Sequence, residues 1–144
     1  MTSATEFAPG LVIQGFAAPL ALSQFRLIAF DMDSTLITIE CIDEIADFAG
    51  VKPQVAAVTE AAMRGELDFA DSLKARVALL KGLPASVLDD VSSEIRLTTG
   101  VIELVHAVHA VDGVVSLVSG GFDTIVEGVA RAVGADHWRA NSLE

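Results

Sequence analysis

Only one cysteine, Cys41, stands among the 144 residues, and tyrosine is absent. A single thiol excludes an internal disulfide and a cysteine-rich metal site, and it fits a reducing compartment. At the start of an apolar helical stripe, Cys41 reads as a small buried hydrophobe. Basic residues are scarce as well. Nine lysines and arginines face twenty aspartates and glutamates, for a formal charge of −11. That field repels phosphate backbones and anionic membranes, so neither nucleic acid nor a membrane is an expected partner. An anionic substrate would need compensation from a metal, a basic side chain or backbone N–H groups. Uninterrupted apolar runs of spanning length are also missing. Phe7 to Phe25 carries no charge, but Pro9, Gly10, Gln14, Gly15 and Pro19 break a spanning helix. "MTSATE" holds no lysine or arginine, so it does not open a secretory signal. The expectation is a soluble cytoplasmic protein in which residues 1–25 form an extended arm.

What the chain does have is apolar surface. At 52% hydrophobic it can build the core of one domain, or of a small domain with an insertion. "LVIQGF" (Leu11 to Phe16) reads as a short strand. "RLIAF" (Arg26 to Phe30) is an apolar run of the kind that forms a fully buried parallel strand. Four helices should follow: one through "CIDEIADFAG", one from Pro53 to Gly65, one from about Asp68 to Gly82 capped by Asp68 or Asp71, and one after Pro84. Beyond Gly100, "VIELVHAVHAV" is an amphipathic helix closed by Asp112-Gly113. "VVSLVS" (Val114 to Ser119) is a second buried strand, "FDTIVEGVARAV" a helix stopped by Gly134, and "WRANSLE" the start of a third strand. Strands alternating with helices predict an α/β fold with a Rossmann-like parallel sheet. Residues 26–38 and 97–144 would form the core, and residues 39–96 an inserted helical cap, because one crossover needs only one helix.

The chemistry concentrates at strand ends. Asp31 and Asp33 follow "LIAF" directly, at the carboxyl end of a strand where open α/β sheets carry reactive groups. Period-two spacing lets both carboxylates face one cleft. Such a pair calls for a metal or a shared proton, because each charge raises the pKa of the other. A calcium loop beginning at Asp31 fails, since its sixth and twelfth positions would be Leu36 and Ile42 rather than glycine and glutamate. Helix capping by Asp33 or Ser34 remains open. The second strand ends in "VSGGF", where Ser119, Gly120 and the following helix N-terminus make a candidate oxyanion site; a plain turn is the alternative. His106 and His109 have helical spacing but no evident carboxylate companion, and like His137 they read as core or surface residues.

"FDMDSTL", "IECIDEIADFAG", "VTEAAMRGELDFADSLKARVALLKGLP" and "VSGGFD" together resemble the phosphoserine phosphatases of the haloacid dehalogenase-like superfamily. The similarity runs from Arg26 to Glu144. It implies hydrolysis of O-phospho-L-serine to L-serine and phosphate, closing serine biosynthesis. Asp31 would be the nucleophile that forms an aspartyl-phosphate, and Asp33 the general acid and base. Mg²⁺ would bind the Asp31 carboxylate and the Asp33 backbone carbonyl. Ser119 and the Gly120 N–H would hold phosphate oxygens. Glu40 would meet the substrate ammonium and Arg76 its carboxylate, with Met63 and Phe69 lining the pocket.

The family pattern also includes a lysine beyond the third strand and G-D-G-x-N-D after the fourth. This sequence reaches "NSLE" before either: Lys81 is its last lysine and Asp136 its last aspartate. The resemblance therefore implies a C-terminally truncated core, with "RLIAF" left as an unpaired edge, marginal folding and negligible turnover for the 144 residues alone. A homodimer or a complementing chain would be the partner. A split-enzyme half, a non-catalytic pseudoenzyme and a phosphotransferase of the same superfamily are the alternatives.

Overall fold

The computed structural model describes residues 5–15 and 19–143. A parallel sheet of three strands joins an early segment of the chain to its last third. Strands β3 (Leu27–Phe30), β4 (Val114–Phe122) and β5 (His137–Asn141) lie in the order β3-β4-β5. Leu27 pairs with Val114, and Ser116 with His137. Ahead of the sheet, β1 (Thr5–Ala8) and β2 (Leu11–Ile13) form an antiparallel hairpin around Pro9-Gly10. The expected strand at Leu11 is thus present but ends at Ile13, and its extension to Phe16 lies outside the described residues. Strand β1 was not expected, since four residues of mixed polarity carry no period-two signal.

Six α-helices lie among the described residues: α1 (Cys41–Phe48), α2 (Lys52–Met63), α3 (Phe69–Leu79), α4 (Ser86–Glu94), α5 (Val101–His109) and α6 (Asp123–Val133). Several boundaries have a local cause. Pro53 sits in the first turn of α2, and Asp68 caps α3 by accepting the Asp71 N–H at 2.8 Å. Gly134 ends α6 in the left-handed conformation (φ 77°). Helices α5 and α6 touch each other and pack on β4, while α6 also lines β5. Val101, Val105, Val108, Val115, Leu117, Ile125, Val126, Val129 and Val133 all belong to one buried core.

Two strands depart from the expected full burial. Along β4, Val115, Leu117 and Ser119 are buried while Val118 is 51% exposed. In β3, Leu27 is 55% exposed. The sheet is therefore covered on one face, and alternation rather than continuous burial is the rule such a sheet obeys. Among the described residues β3 has a strand neighbour on one side only, as expected for an edge.

The segment carrying α1 to α4 leaves and rejoins this sheet through two bridged stretches. Ile37 pairs antiparallel with Leu97, the Thr38 N–H donates to the Arg96 carbonyl at 3.1 Å, and the Thr98 N–H donates to the Leu36 carbonyl at 2.9 Å. Helix α4 also touches α6, so these helices are anchored at their base. No helix among the described residues is long and apolar enough to cross a membrane.

Candidate active site

Strand β3 delivers its carboxylates through a turn over Met32–Leu36. The Asp31 carboxylate accepts the Met32 N–H at 2.8 Å, which fixes its side chain at the strand end. Asp33 stays extended, and Ser34 takes a left-handed conformation (φ 51°) that swings the chain around. The Ser34 hydroxyl then donates to Glu40 Oε1 at 2.5 Å, and the Cys41 N–H donates to Asp33 Oδ1 at 3.4 Å. Asp33 thus accepts from the first residue of α1 while also lining the cleft. Burial pushes the Asp33 pKa up, and the nearby Glu40 and Asp31 charges add to the rise; the Cys41 contact opposes it. Burial also drives the Cys41 thiol well above its ordinary value, with the Asp33 charge reinforcing it. That thiol is inert and buried, as the sequence implies.

Strand β4 brings the second element. Its pairing with β5 shifts between Val118 and Phe122, so Ser119, Gly120 and Gly121 bulge out of the ladder. The Gly121 N–H donates to Ser119 Oγ at 2.9 Å. A Cβ on Gly121 would lie 3.1 Å from Ser119 Oγ, 3.3 Å from Met32 Cε and 3.8 Å from Asp33 Oδ2. Glycine here is what lets the two strand ends approach each other.

These pieces enclose a cleft of about 200 Å³ lined by Asp31, Asp33, Glu40, Cys41, Ile42, Phe69, Leu73, Arg76, Gly120, Gly121 and Phe122. Three carboxylates and one guanidinium share it. Arg76, on α3, donates its Nε–H to the Ser72 carbonyl at 3.4 Å, which steadies the long side chain. Phe69, at the start of the same helix, lies against Gly120. A larger groove of about 700 Å³ lies between the α3–α4 connection and Phe122, but Lys81 is its one ionisable lining residue. It is apolar surface, and the charged chemistry sits in the smaller cleft.

Of the residues singled out in the sequence, Asp31, Asp33, Glu40, Phe69, Arg76 and Gly120 line that cleft. Ser119 stands behind it, buried and bonded to Gly121. Met63 does not line it. It ends α2 with 84% of its surface exposed, because the chain turns away at Arg64-Gly65 before α3 begins. Ile42, Leu73, Gly121 and Phe122 also line the cleft; they lie within the motif segments, but the sequence assigns them no individual role. His109 does have a carboxylate companion, Asp136, at 3.0 Å, but 27 residues separate the two and no local pattern announces the pair.

Asp31 and Asp33 offer hard oxygens in a crowded anionic cleft, which fits Mg²⁺. Among the described residues no third histidine, cysteine or acid completes a metal cluster with them.

Comparison with known proteins gives this geometry a lineage. A phosphoserine phosphatase of Albidiferax ferrireducens is 54% identical over 142 residues, covering 97% of this chain and 60% of that protein. The chain thus spans about three fifths of that relative's length. Two solved structures superpose with TM-scores of 0.77 at 42% identity, each covering 83% of this chain and 57% of theirs: a substrate-bound phosphoserine phosphatase complex and a phospho-aspartyl intermediate analogue of phosphoserine phosphatase. The haloacid dehalogenase-like hydrolase profile matches residues 28–144. With that match spanning most of the sequence, the chain belongs to the haloacid dehalogenase-like hydrolase family.

Proposed function

We propose that this chain carries the nucleophile, proton-transfer and substrate-recognition residues of a phosphoserine phosphatase, with residues 39–96 acting as its cap. One observation carries the reading. The D-x-D of β3 and the S-G-G bulge of β4 face the same cleft, with Asp33 Oδ2 and Ser119 Oγ both within 4 Å of the position a Gly121 Cβ would take.

Asp31, tied through one oxygen to the Met32 N–H, attacks phosphorus, and the bond from phosphorus to the serine oxygen breaks. Asp33, whose carboxyl is shifted toward the protonated form chiefly by burial, gives a proton to the departing serine oxygen. The resulting carboxylate then takes a proton from water as the water oxygen attacks phosphorus. The Asp31–phosphorus bond breaks, inorganic phosphate leaves, and Asp33 is protonated again. The Ser119 hydroxyl and the Gly120 N–H hold phosphate oxygens where charge spreads in transfer. Glu40 meets the substrate ammonium and Arg76 its carboxylate, a division that the charges lining the cleft support. Mg²⁺ would be held by the Asp31 carboxylate and the Asp33 backbone carbonyl, where it would offset phosphate charge. The reading places the protein in the cytoplasm, in serine biosynthesis.

Calorimetry tests it. With Mg²⁺ present, O-phospho-L-serine should bind at least tenfold more tightly than inorganic phosphate, because only the former engages Glu40 and Arg76. Equal affinities would overturn the assignment of an amino-acid phosphate.

A further inference from the structure

The bulge that forms the anion turn has a backbone problem that Asn141 answers. Between the pairs Val118↔Arg139 and Phe122↔Asn141, β4 advances four residues while β5 advances two. The surplus residues of β4 lose regular ladder partners. The last residue of β5 supplies one in their place: the Asn141 side-chain amide donates to the Gly120 carbonyl at 2.8 Å. That carbonyl belongs to the same peptide unit as the Gly121 N–H, which donates to Ser119 Oγ at 2.9 Å. The Gly120–Gly121 peptide is therefore gripped at both ends, by a side chain across the sheet and by a hydroxyl within the bulge. Having accepted that N–H, the serine oxygen keeps its own proton to donate. The next residue makes a separate tie, since the Ser142 hydroxyl donates to Asp123 Oδ2 at 2.5 Å, at the first residue of α6.

We infer that Asn141 is a positioning residue for the anion turn. Its amide fixes the plane of the Gly120–Gly121 peptide, and through it the direction in which Ser119 offers its hydroxyl. Two glycines in succession are the most pliable backbone the chain could place there. Without the clamp the peptide is free to rotate, and the Ser119 oxygen loses the N–H that orients it. This rests on the phosphatase reading for the identity of the anion, but the clamp itself does not.

The test compares the wild-type 144-residue chain with Asn141→Ala, Asn141→Leu and Ser142→Ala, using inorganic phosphate as probe. Leucine keeps the bulk of asparagine and removes the donor; Ser142→Ala leaves the clamp intact and controls for damage to the end of the strand. Amide hydrogen exchange of Gly121 should quicken by about tenfold in both Asn141 variants, relative to the other amides of β4. Phosphate affinity, followed on the Gly120 and Gly121 amide resonances, should fall by a similar factor while the melting temperature stays near that of Ser142→Ala. Faster exchange spread evenly over β4 and β5 would reduce Asn141 to a strand-end residue and overturn the inference. Unchanged Gly121 exchange in both Asn141 variants would overturn it as well. Wild-type chain that binds no phosphate would sink the phosphatase reading, and the exchange comparison would still decide the clamp.

Discussion

The ring of Phe69, on the first residue of α3, lies over Gly120 in the bulge after β4. A Cβ built on that glycine would stand 3.1 Å from Phe69 Cζ and 3.4 Å from its Cε2. This contact is where α3 meets the bulge after β4, and its closeness depends on the missing side chain. Gly120→Ala should push the ring outward by a few tenths of an ångström and weaken O-phospho-L-serine binding about threefold to tenfold. Adding Phe69→Ala removes the ring that the new methyl would strike. The double variant should therefore lose less than the sum of the two single losses, which a double-mutant cycle by calorimetry would measure.

Glu40 and Arg76 should separate recognition of the amino acid from recognition of phosphate. Glu40→Gln and Arg76→Ala are each expected to weaken O-phospho-L-serine binding by about tenfold to a hundredfold, the range for losing a charge-assisted contact. Inorganic phosphate affinity should change much less. Arg76→Lys should recover only part of the loss, because a single ammonium cannot present the planar two-pronged donor.

Asp33 should cost stability when it ionises. Its folded pKa is raised above the ordinary 3.8, chiefly by burial. Below pH 3.8 folded and unfolded chains are both largely protonated, and the group favours neither. As pH climbs above 3.8 the unfolded chain ionises first, so stability falls until the folded pKa has been passed. Asp33→Asn keeps an oxygen for the Cys41 N–H and cannot ionise. It should melt higher than wild type at pH 7 and with little difference near pH 3, in thermal scans across that range.

Asp136 should behave with the opposite sign. The Val115 N–H, at 2.8 Å, and His109 hold its pKa below the ordinary value. Its support is present above pH 3.8 and lost as pH falls through the lowered folded value. Asp136→Ala should raise the exchange rate of the Val115 amide and lower the urea midpoint at pH 7. That difference from wild type should shrink in acid.

How far the sequence disclosed this structure depends on the range of each interaction. Leu27–Phe30 running into Asp31 and Asp33 was legible, because a strand end and a period-two carboxylate pair are local patterns. So were α1 to α6, and the stops of α1, α2, α3 and α6 follow from the left-handed Gly50, Gly65, Gly82 and Gly134. The length of β4 was not legible, since Gly120 and Gly121 look like a turn until β5 pairs beyond them at Phe122↔Asn141. Full burial of β3 and β4 was over-read from composition, because an apolar run does not reveal whether a second layer covers it. Met63 illustrates the same limit. Residues that share a helical hairpin do not thereby share a pocket, and the path of the chain after α2 decides the matter. The His109–Asp136 and Asn141–Gly120 contacts join residues 27 and 21 positions apart, so only the fold exposes them.

The most direct test of the account is to map where O-phospho-L-serine binds by ¹H–¹⁵N spectroscopy with Mg²⁺ present. The account predicts resonance shifts at Met32, Cys41, Phe69, Arg76, Gly120 and Gly121, saturating together and weakened together by Arg76→Ala. Shifts confined to the apolar groove around Val77, Leu83 and Leu88, or none at those six residues, would contradict it.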